Sequence, residues 1–599
     1  MFSLLSRQAS SQSPEHVLFW CPNLAGKKQP LTTSNVNLSA STAARNDFLL
    51  WAKQPLSAAL QQQTQQLLAN WSGYQISKYN DFRSAPQPPN AYVLIIINGH
   101  CTESIKTLMQ QAANYCLQHE ISQMVIATDV NGARLTAQQQ QVIKQVVLPA
   151  ALTVQMVKHD CHHANLLAKS SAVVVTDSWL GLEALLWQKT VITCGDPFYA
   201  GLGLTQETKQ PNAGLKYRLE QLVAWVFLVQ ANSFCPEQQQ TIPLLTALAW
   251  LQLQNQQRQR FPQLVYAIGF TFFWKNVVRS FLQGSQVIFV RTAQQVPAGA
   301  TAITWGLKVL PQLAADVTLY RLEDGFIRSV GLGALFAKPL SWVADSRGLY
   351  FDATASSDLE VLLNNSVFDD AILCEAKQLI KLLIQSNITK YNTGQVTWQR
   401  PNTDRKVLLV VGQVETDASI AFGAPGIKKN LDLLKTVRQD NPRAYIIYKP
   451  HPDVLAGARA QGENEQHAKD FCDAIAVDID ISAMLEQVDE LHVLTSLAGF
   501  EALLRGRKVL CYGLPFYAGW GLTEDKVTCA RRKRKLTLEQ LVAAALLQYP
   551  MYLSAHSGYF TNAIATAKAL SAWRNNPAKP TSLWQKTLRN SLNLIRGKR

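Results

Sequence analysis

Three short clusters in the second half of the sequence bring together residue types that group-transfer chemistry uses. RLEDGFIRSVGLG (321–333) sets two adjacent carboxylates, Glu323 and Asp324, between the apolar run VTLYRL and a glycine turn. A carboxylate at the carboxyl end of a strand can act as acid or base, its pKa raised by a like-charged neighbour or by burial. Arg328 and Ser329, with backbone amides near Gly331 and Gly333, are suited to hold an anionic sugar carboxylate. The plainer reading of the Glu-Asp pair is a helix cap. VVGQVETDAS (410–419) follows the run KVLLVV and places Gln413 and Asp417 in a strand-to-helix loop. There Asp417 can serve as nucleophile or base and Gln413 as a hydrogen-bond donor to substrate, with an N-cap as the simpler role for the aspartate. YKPHPDV (448–454) holds His451 between two prolines, which restrict its backbone. A rigidly placed imidazole with Lys449 close by suits a leaving phosphate.

A fourth stretch, LTSLAGFEALLRGRKVL (494–510), sets Thr495 and Ser496 at a helix start, where hydroxyls and free amides favour phosphate, with Glu501 one turn along to accept from ribose hydroxyls. Such groups act together only if the chain carries them to one place. From 285 to 550, the apolar, β-branched runs SQVIFVR, TAITWG, DVTLYRL, KVLLVVG, AYIIYK, ELHVLTS and RKVLCYG are separated by helical stretches such as LDLLKTVRQ and GFEALLRG. This alternation predicts βαβ units and parallel sheets. The polar stretch KYNTGQVTWQRPNTDRK (390–406) divides the region into two lobes. Two sheet domains facing a cleft place ligands at the carboxyl ends of strands.

The sequence also repeats itself. GDPFYAGLGLTQ (195–206) returns as GLPFYAGWGLTE (513–524), with nine of twelve positions identical at an offset of 318 residues. TDSWLGLEALLWQKTVITC (176–194) answers LTSLAGFEALLRGRKVLCY (494–512), RLEQLVAWVFL answers TLEQLVAAALL, and ISKYN (76–80) answers ITKYN (388–392). Several blocks in one order at nearly one offset imply duplication. The first copy is expected to keep only the later lobe, with residues 1–70 irregular and followed by one helix.

Composition narrows the class. Apolar residues make 47% and charged residues 17% of the 599, the balance of a globular chain. No apolar run reaches the roughly 18–20 residues that span a bilayer, the start lacks the pattern of a cleavable signal, and the ten cysteines are scattered without short repeated spacing. These features predict a cytoplasmic enzyme. The net charge of +15 calls for an anionic partner. Its densest runs are ARRKRK (530–535) and WQKTLRNSLNLIRGKR (584–599), whose Trp584, Leu588, Leu592 and Ile595 recur at helical spacing, as suits a helix on an anionic membrane. Neither run is interleaved with the aromatic platforms that stack bases, so no nucleic-acid partner is expected. His159, Cys161, His162 and His163 lack a second distant pair, and no metal site is expected there.

Taken in order, EDGFIRSVGLG, PLSWVADSRGLYFDATASSDLE (339–360), QVETDAS, YKPHP and the SLAGFEALLRGRKVLCYGLPFYAGWGLT block resemble the capsule polysaccharide KpsC/LipA family of retaining β-Kdo transferases. The resemblance covers residues 285–550 closely and the first copy's later lobe more faintly. It implies a GT-B fold, CMP-Kdo as donor substrate with no other cofactor, no essential metal, and a lipid-linked acceptor at the cytoplasmic face of the inner membrane. Other capsule assembly proteins are further expected partners. It further implies Glu323 or Asp324 as the acid/base, Asp417 as nucleophile beside Gln413, His451, Lys449 and Ser496 around the CMP phosphate, and Glu501 on the ribose.

The chain departs from the family's two complete modules. VLIIINGHCTES (93–104) lacks an aspartate where the second copy has Asp417, MVKHDCHH (156–163) stands in place of the HP cluster, and no EDG precedes it. The resulting division is an irregular and helical region (1–90), a degenerate, inactive Rossmann-like repeat (91–255), an acceptor-side lobe (256–397), a CMP-sugar lobe (398–550) and a basic helical tail (551–599). Rival readings are a transferase for another CMP-linked ulosonic or sialic acid, and a non-catalytic assembly component.

Overall fold

All seven apolar runs form strands, and both helical stretches lie in helices. The computed structural model describes residues 17–22, 28–38, 41–80, 91–98, 102–129, 135–157, 162–208, 215–328, 339–388, 398–455, 460–477 and 479–575. The chain divides into two units, Met1–Gln263 and Leu264–Arg599.

In the first unit, β1 (Val17–Pro22), β2 (Lys28–Ser34), β9 (Ala231–Cys235) and β10 (Gln240–Ile242) make an antiparallel sheet in that order. β3 (Tyr92–Ile97), β4 (Gln123–Thr128), β5 (Thr153–Met156), β6 (Ser170–Val175), β7 (Thr190–Thr193) and β8 (Gln206–Glu207) make a parallel sheet ordered β5-β4-β3-β6-β7-β8. The central YVLIII strand is buried at every position, as a strand covered on both faces must be. Two helices, Ser41–Trp51 and Ala58–Tyr74, follow β2. The second is rich in Ala, Leu and Gln, is capped by the Ser57 hydroxyl, and buries Thr64, Leu67 and Trp71 along one face. The expectation that residues 1–70 are irregular and followed by one helix is therefore corrected. The described residues of that stretch supply two strands that pair with each other, and β2 pairs in turn with β9, about 200 residues on, so this unit carries a second sheet beside its Rossmann-like one.

In the second unit, β11 (Leu264–Ile268), β12 (Gln286–Val290), β13 (Thr301–Trp305), β14 (Thr318–Asp324) and β15 (Ser341–Asp345) join β22 (Met551–Leu553) and β23 (Phe560–Thr561) in a mixed sheet ordered β12-β11-β13-β14-β15-β22-β23. β11 to β14 run parallel and the remainder antiparallel. The second sheet is wholly parallel: β16 (Val407–Val411), β17 (Tyr445–Lys449), β18 (Ala474–Ile475), β19 (Glu490–Val493), β20 (Lys508–Cys511) and β21 (Glu524–Asp525), ordered β18-β17-β16-β19-β20-β21. Strand order reverses between β16 and β19, which opens a crevice at their carboxyl ends.

Two boundaries shift. The helix Leu244–Arg258 stays with the first unit, so the division falls at Gln263 rather than at 255. Residues 551–561 are not tail, because they return to the first sheet as β22 and β23. The helix Ala563–Asn575 follows them, and the basic segment 584–599 lies outside the described residues. The ARRKRK run is largely engaged inside the protein. Arg531 and Arg532 donate to the buried Glu360 carboxylate at 2.7 and 3.2 Å, Arg532 also reaches the carbonyls of Pro515 and Ala518, and Arg534 lies over Phe368.

Candidate active-site cleft

Strand alternation separates the two carboxylates of the EDG cluster. Glu323 pairs with Val343 and Asp324 with Trp342, so their side chains leave opposite faces of the sheet. Glu323 lines a cleft of about 400 Å³. Asp324 instead accepts from Arg328 Nε at 2.5 Å, and Arg328 is only 3% exposed. The pair is internal, so neither Asp324 nor Arg328 is among the groups lining the cleft, contrary to the expectation that Arg328 faces the sugar. Ser329 lies outside the described residues.

Asp417, Gln413, His451, Thr495 and Ser496 line the same cleft, with Trp305, Tyr350, Phe351 and Phe516 as its aromatic walls. Asp417 precedes the helix Ala418–Gly423 at the N-cap position with extended backbone, yet its side chain makes no capping bond. The simple cap reading fails, and the carboxylate is presented to the cleft. Gln413 clasps Thr495: its amide donates to Thr495 Oγ1 at 3.0 Å and its carbonyl oxygen accepts from the Thr495 amide at 2.8 Å. This reciprocal pair bridges the reversal point between β16 and β19. Gln413 thus positions Thr495, whereas the sequence suggested a donor aimed at substrate.

The His451 ring accepts the Asp453 N–H on Nδ1 at 3.1 Å. In the neutral ring the proton then sits on Nε2, which becomes the donor. The Ser496 hydroxyl accepts from the Ala498 amide at 3.2 Å, and the Tyr517 hydroxyl donates to the Ser496 carbonyl. A Cβ at Gly499 would collide with that phenol, so glycine is required there. Lys449 does not reach the cleft wall; its ammonium donates to the carbonyl of Ile479 at 2.6 Å. Glu501 is buried in the helix Ala498–Leu504 and is also absent from the cleft lining.

The family model described as "Capsule polysaccharide biosynthesis protein" matches residues 97–225 and 311–552. The chain belongs to that family, in its KpsC/LipA branch. As a capsule-biosynthesis family member it is 38% identical over 440 residues to the capsule polysaccharide modification protein LipA of Neisseria meningitidis serogroup B (strain ATCC BAA-335 / MC58), a match covering 70% of this chain and 62% of that protein. It thus spans about three fifths of that relative's length. It is also 39% identical over 298 residues to the lipopolysaccharide-processing protein LpsZ of Rhizobium meliloti, covering 47% of this chain and 68% of that protein. Among solved structures it is similar to the β-Kdo 2,7 transferase of Thermosulfurimonas dismutans KpsC, with 40% identity, TM-score 0.44, and coverage of 52% of this chain and 99% of that one. Its β-Kdo 2,4 transferase gives 32% identity, TM-score 0.47, and coverage of 52% and 98%.

Within this family member, sequence reasoning passed over the residues that shape the cleft rather than react in it. Asp345 accepts the amides of Arg347, Gly348 and Asp358 and the Tyr549 hydroxyl, with burial raising its carboxyl against those donors. It thereby fixes the loop that presents Tyr350 and Phe351. The signal was available: an aspartate followed by Ser-Arg-Gly in the quoted DSRGLYFD stretch is a turn-forming pattern. The first unit holds a smaller cleft of about 320 Å³ lined by Lys78, Asn98, Asp129, Asp177, Ser178 and Trp179 among others. Beneath it Glu183, at the position matching Glu501, accepts the Ser77 hydroxyl at 2.6 Å and the Lys78 amide at 2.7 Å. His162 and His163 turn inward, to Asn80 Oδ1 and the Thr128 carbonyl.

Proposed function

We propose that the second unit is a retaining glycosyltransferase with a GT-B-like pair of lobes, moving β-Kdo from CMP-Kdo to a Kdo-primed, lipid-linked acceptor in capsule or related surface-glycan assembly at an anionic membrane face. The observation that carries this reading is the convergence of Glu323, Asp417, His451 and Ser496 on one cleft although they come from four separate segments.

On this reading the Asp417 carboxylate attacks the anomeric carbon of the donor sugar, and the bond to the CMP phosphate breaks with its electron pair leaving on the phosphate. His451 Nε2–H and the Ser496 hydroxyl, which line the same cleft, would hydrogen-bond the charge that develops on the departing phosphate. In the second displacement Glu323 takes the acceptor hydroxyl's proton as that oxygen attacks the same carbon and releases Asp417. Two inversions give net retention. Glu323 is preferred to Asp324 as the base, because Asp324 is engaged by Arg328. Aromatic walls suit the sugar faces and the cytosine ring. The first unit, whose parallel sheet has the same strand order, is then a degenerate copy. Thr102 stands where the second unit has Asp417, β1 ends in Trp20-Cys21-Pro22 rather than Leu-Glu-Asp, and Asp177 replaces Thr495, setting a carboxylate where phosphate would bind.

Incubating the full chain with CMP-Kdo and a synthetic Kdo-glycolipid, then reading product mass and anomeric configuration, tests the proposal. The expected result is a β-linked product with release of CMP, and a loss of about a thousandfold or more in Asp417→Asn. Parent-like transfer by that variant excludes Asp417 as nucleophile; complete absence of CMP release points to a non-catalytic assembly role.

A further inference from the structure

The second unit begins with a stretch that has no carboxylate. From Leu264 to Ala315 the sequence contains Lys275, Arg279, Arg291 and Lys308 but no Asp or Glu. This stretch forms β11, β12, β13 and the helix Phe272–Phe281, part of a sheet that extends beyond the four-strand pattern of the first unit. Phe272 and Phe273 open the helix and are 81% and 64% exposed; Val309, just after β13, is 84% exposed. Because β11 to β14 run parallel, the segments that follow β11, β12 and β13 emerge at the edge where β14 ends with Glu323 and Asp324. Those segments carry the phenylalanine pair, Arg291, and Lys308 with Val309. Trp274 stacks on Trp305, ring centroids 6.1 Å apart, and Trp305 lines the cleft. Lys275 and Arg279 lie over the Phe289 ring at 5.2 and 4.9 Å.

We propose that this edge docks on an anionic lipid bilayer, seating Phe272 and Phe273 at the boundary of headgroups and acyl chains and holding the cleft mouth against the surface that anchors the acceptor. The proposal rests on the transferase reading and adds the surface by which that reaction meets its lipid. Single exposed apolar residues are ordinary. Here two adjacent rings and a valine share an edge with Arg291 and Lys308, and the helix that starts there adds Lys275 and Arg279, all in a stretch free of acidic residues, the combination that binds interfaces by apolar burial and charge together. A free anionic glycan would engage the cations but leave the phenyl rings in water.

Flotation of the full chain with vesicles of equimolar phosphatidylglycerol and phosphatidylethanolamine, and with phosphatidylcholine alone, tests this. The parent is expected to bind the anionic vesicles. Phe272→Ser with Phe273→Ser should lower the partition coefficient about tenfold or more, with the melting temperature unchanged, and Phe272→Leu with Phe273→Leu should restore most of it. Lys275→Gln with Arg279→Gln should weaken binding to the anionic vesicles only. The 584–599 segment is present in every sample and cannot account for these differences. Equal partition of the parent and the serine variant overturns the proposal, as does binding that needs the cations but not the rings. Turnover of CMP-Kdo on a water-soluble acceptor is read in the same samples. Lost vesicle binding with turnover intact concerns docking alone, and absent turnover in the parent overturns the transferase reading alone.

Discussion

Glu323 and Asp324 are neighbours in sequence with opposite surroundings, and the difference sets their expected phenotypes apart. Glu323 faces the cleft, and its replacement by glutamine should remove transfer while leaving the denaturation midpoint near that of the parent. Asp324 neutralises a guanidinium that is almost wholly buried, so Asp324→Ala should cost about 2–3 kcal/mol of stability in a denaturant titration. If the glutamine variant is the unstable one and the alanine variant the inactive one, the assignment within the pair is reversed. The residue types were legible in the sequence, but which of two adjacent carboxylates faces substrate was not, because that depends on the strand's register. The i,i+4 spacing of Asp324 and Arg328 was the available hint that the two would find each other.

At the scale of elements, the link between the 530–535 segment and the helix Asp358–Asn365 is electrostatic and internal. Glu360 and Arg532 are both nearly buried, and Arg531 completes the triad. Removing the single anion leaves two guanidinium groups without their counter-charge. Glu360→Ala is therefore expected to destabilise the chain by about 3–5 kcal/mol, whereas Lys533→Gln with Lys535→Gln, on exposed side chains, should be nearly neutral. Urea midpoints of the two variants check this. The sequence showed the basic run but could not show that its counter-ion lies about 170 residues upstream. Strands with long β-branched runs were readable for the opposite reason, since their periodicity is local. KQPLTTS in β2 and the three-residue MYL in β22 are too short or too polar to announce themselves, and both are fixed by partners distant in the chain.

For the molecule as a whole, one buried acid sets a pH dependence. Burial lifts the Glu183 carboxyl from its usual 4.5 to about 7, against the lowering effect of its bonds to Ser77 and the Lys78 amide. Between those values the folded chain keeps a proton that the unfolded chain has released. Stability should therefore fall as pH rises through this window, by about 3 kcal/mol, and level off above it. The fall in melting temperature between pH 5 and pH 8 should be smaller in Glu183→Gln than in the parent; an identical fall would show that another group sets the slope.

The return of β22 and β23 to the sheet begun by β11 has a consequence during synthesis. β15 waits for its antiparallel neighbour across about 200 residues, and β2 in the first unit waits similarly for β9. At typical elongation rates of about 5–20 residues per second, each leaves the ribosome as an open sheet edge for roughly 10–40 s. A chain of this design passes through its own translation with two templates for mispairing exposed, and its yield in the cell should depend on chaperones that cover nascent strands until the closing hairpins arrive.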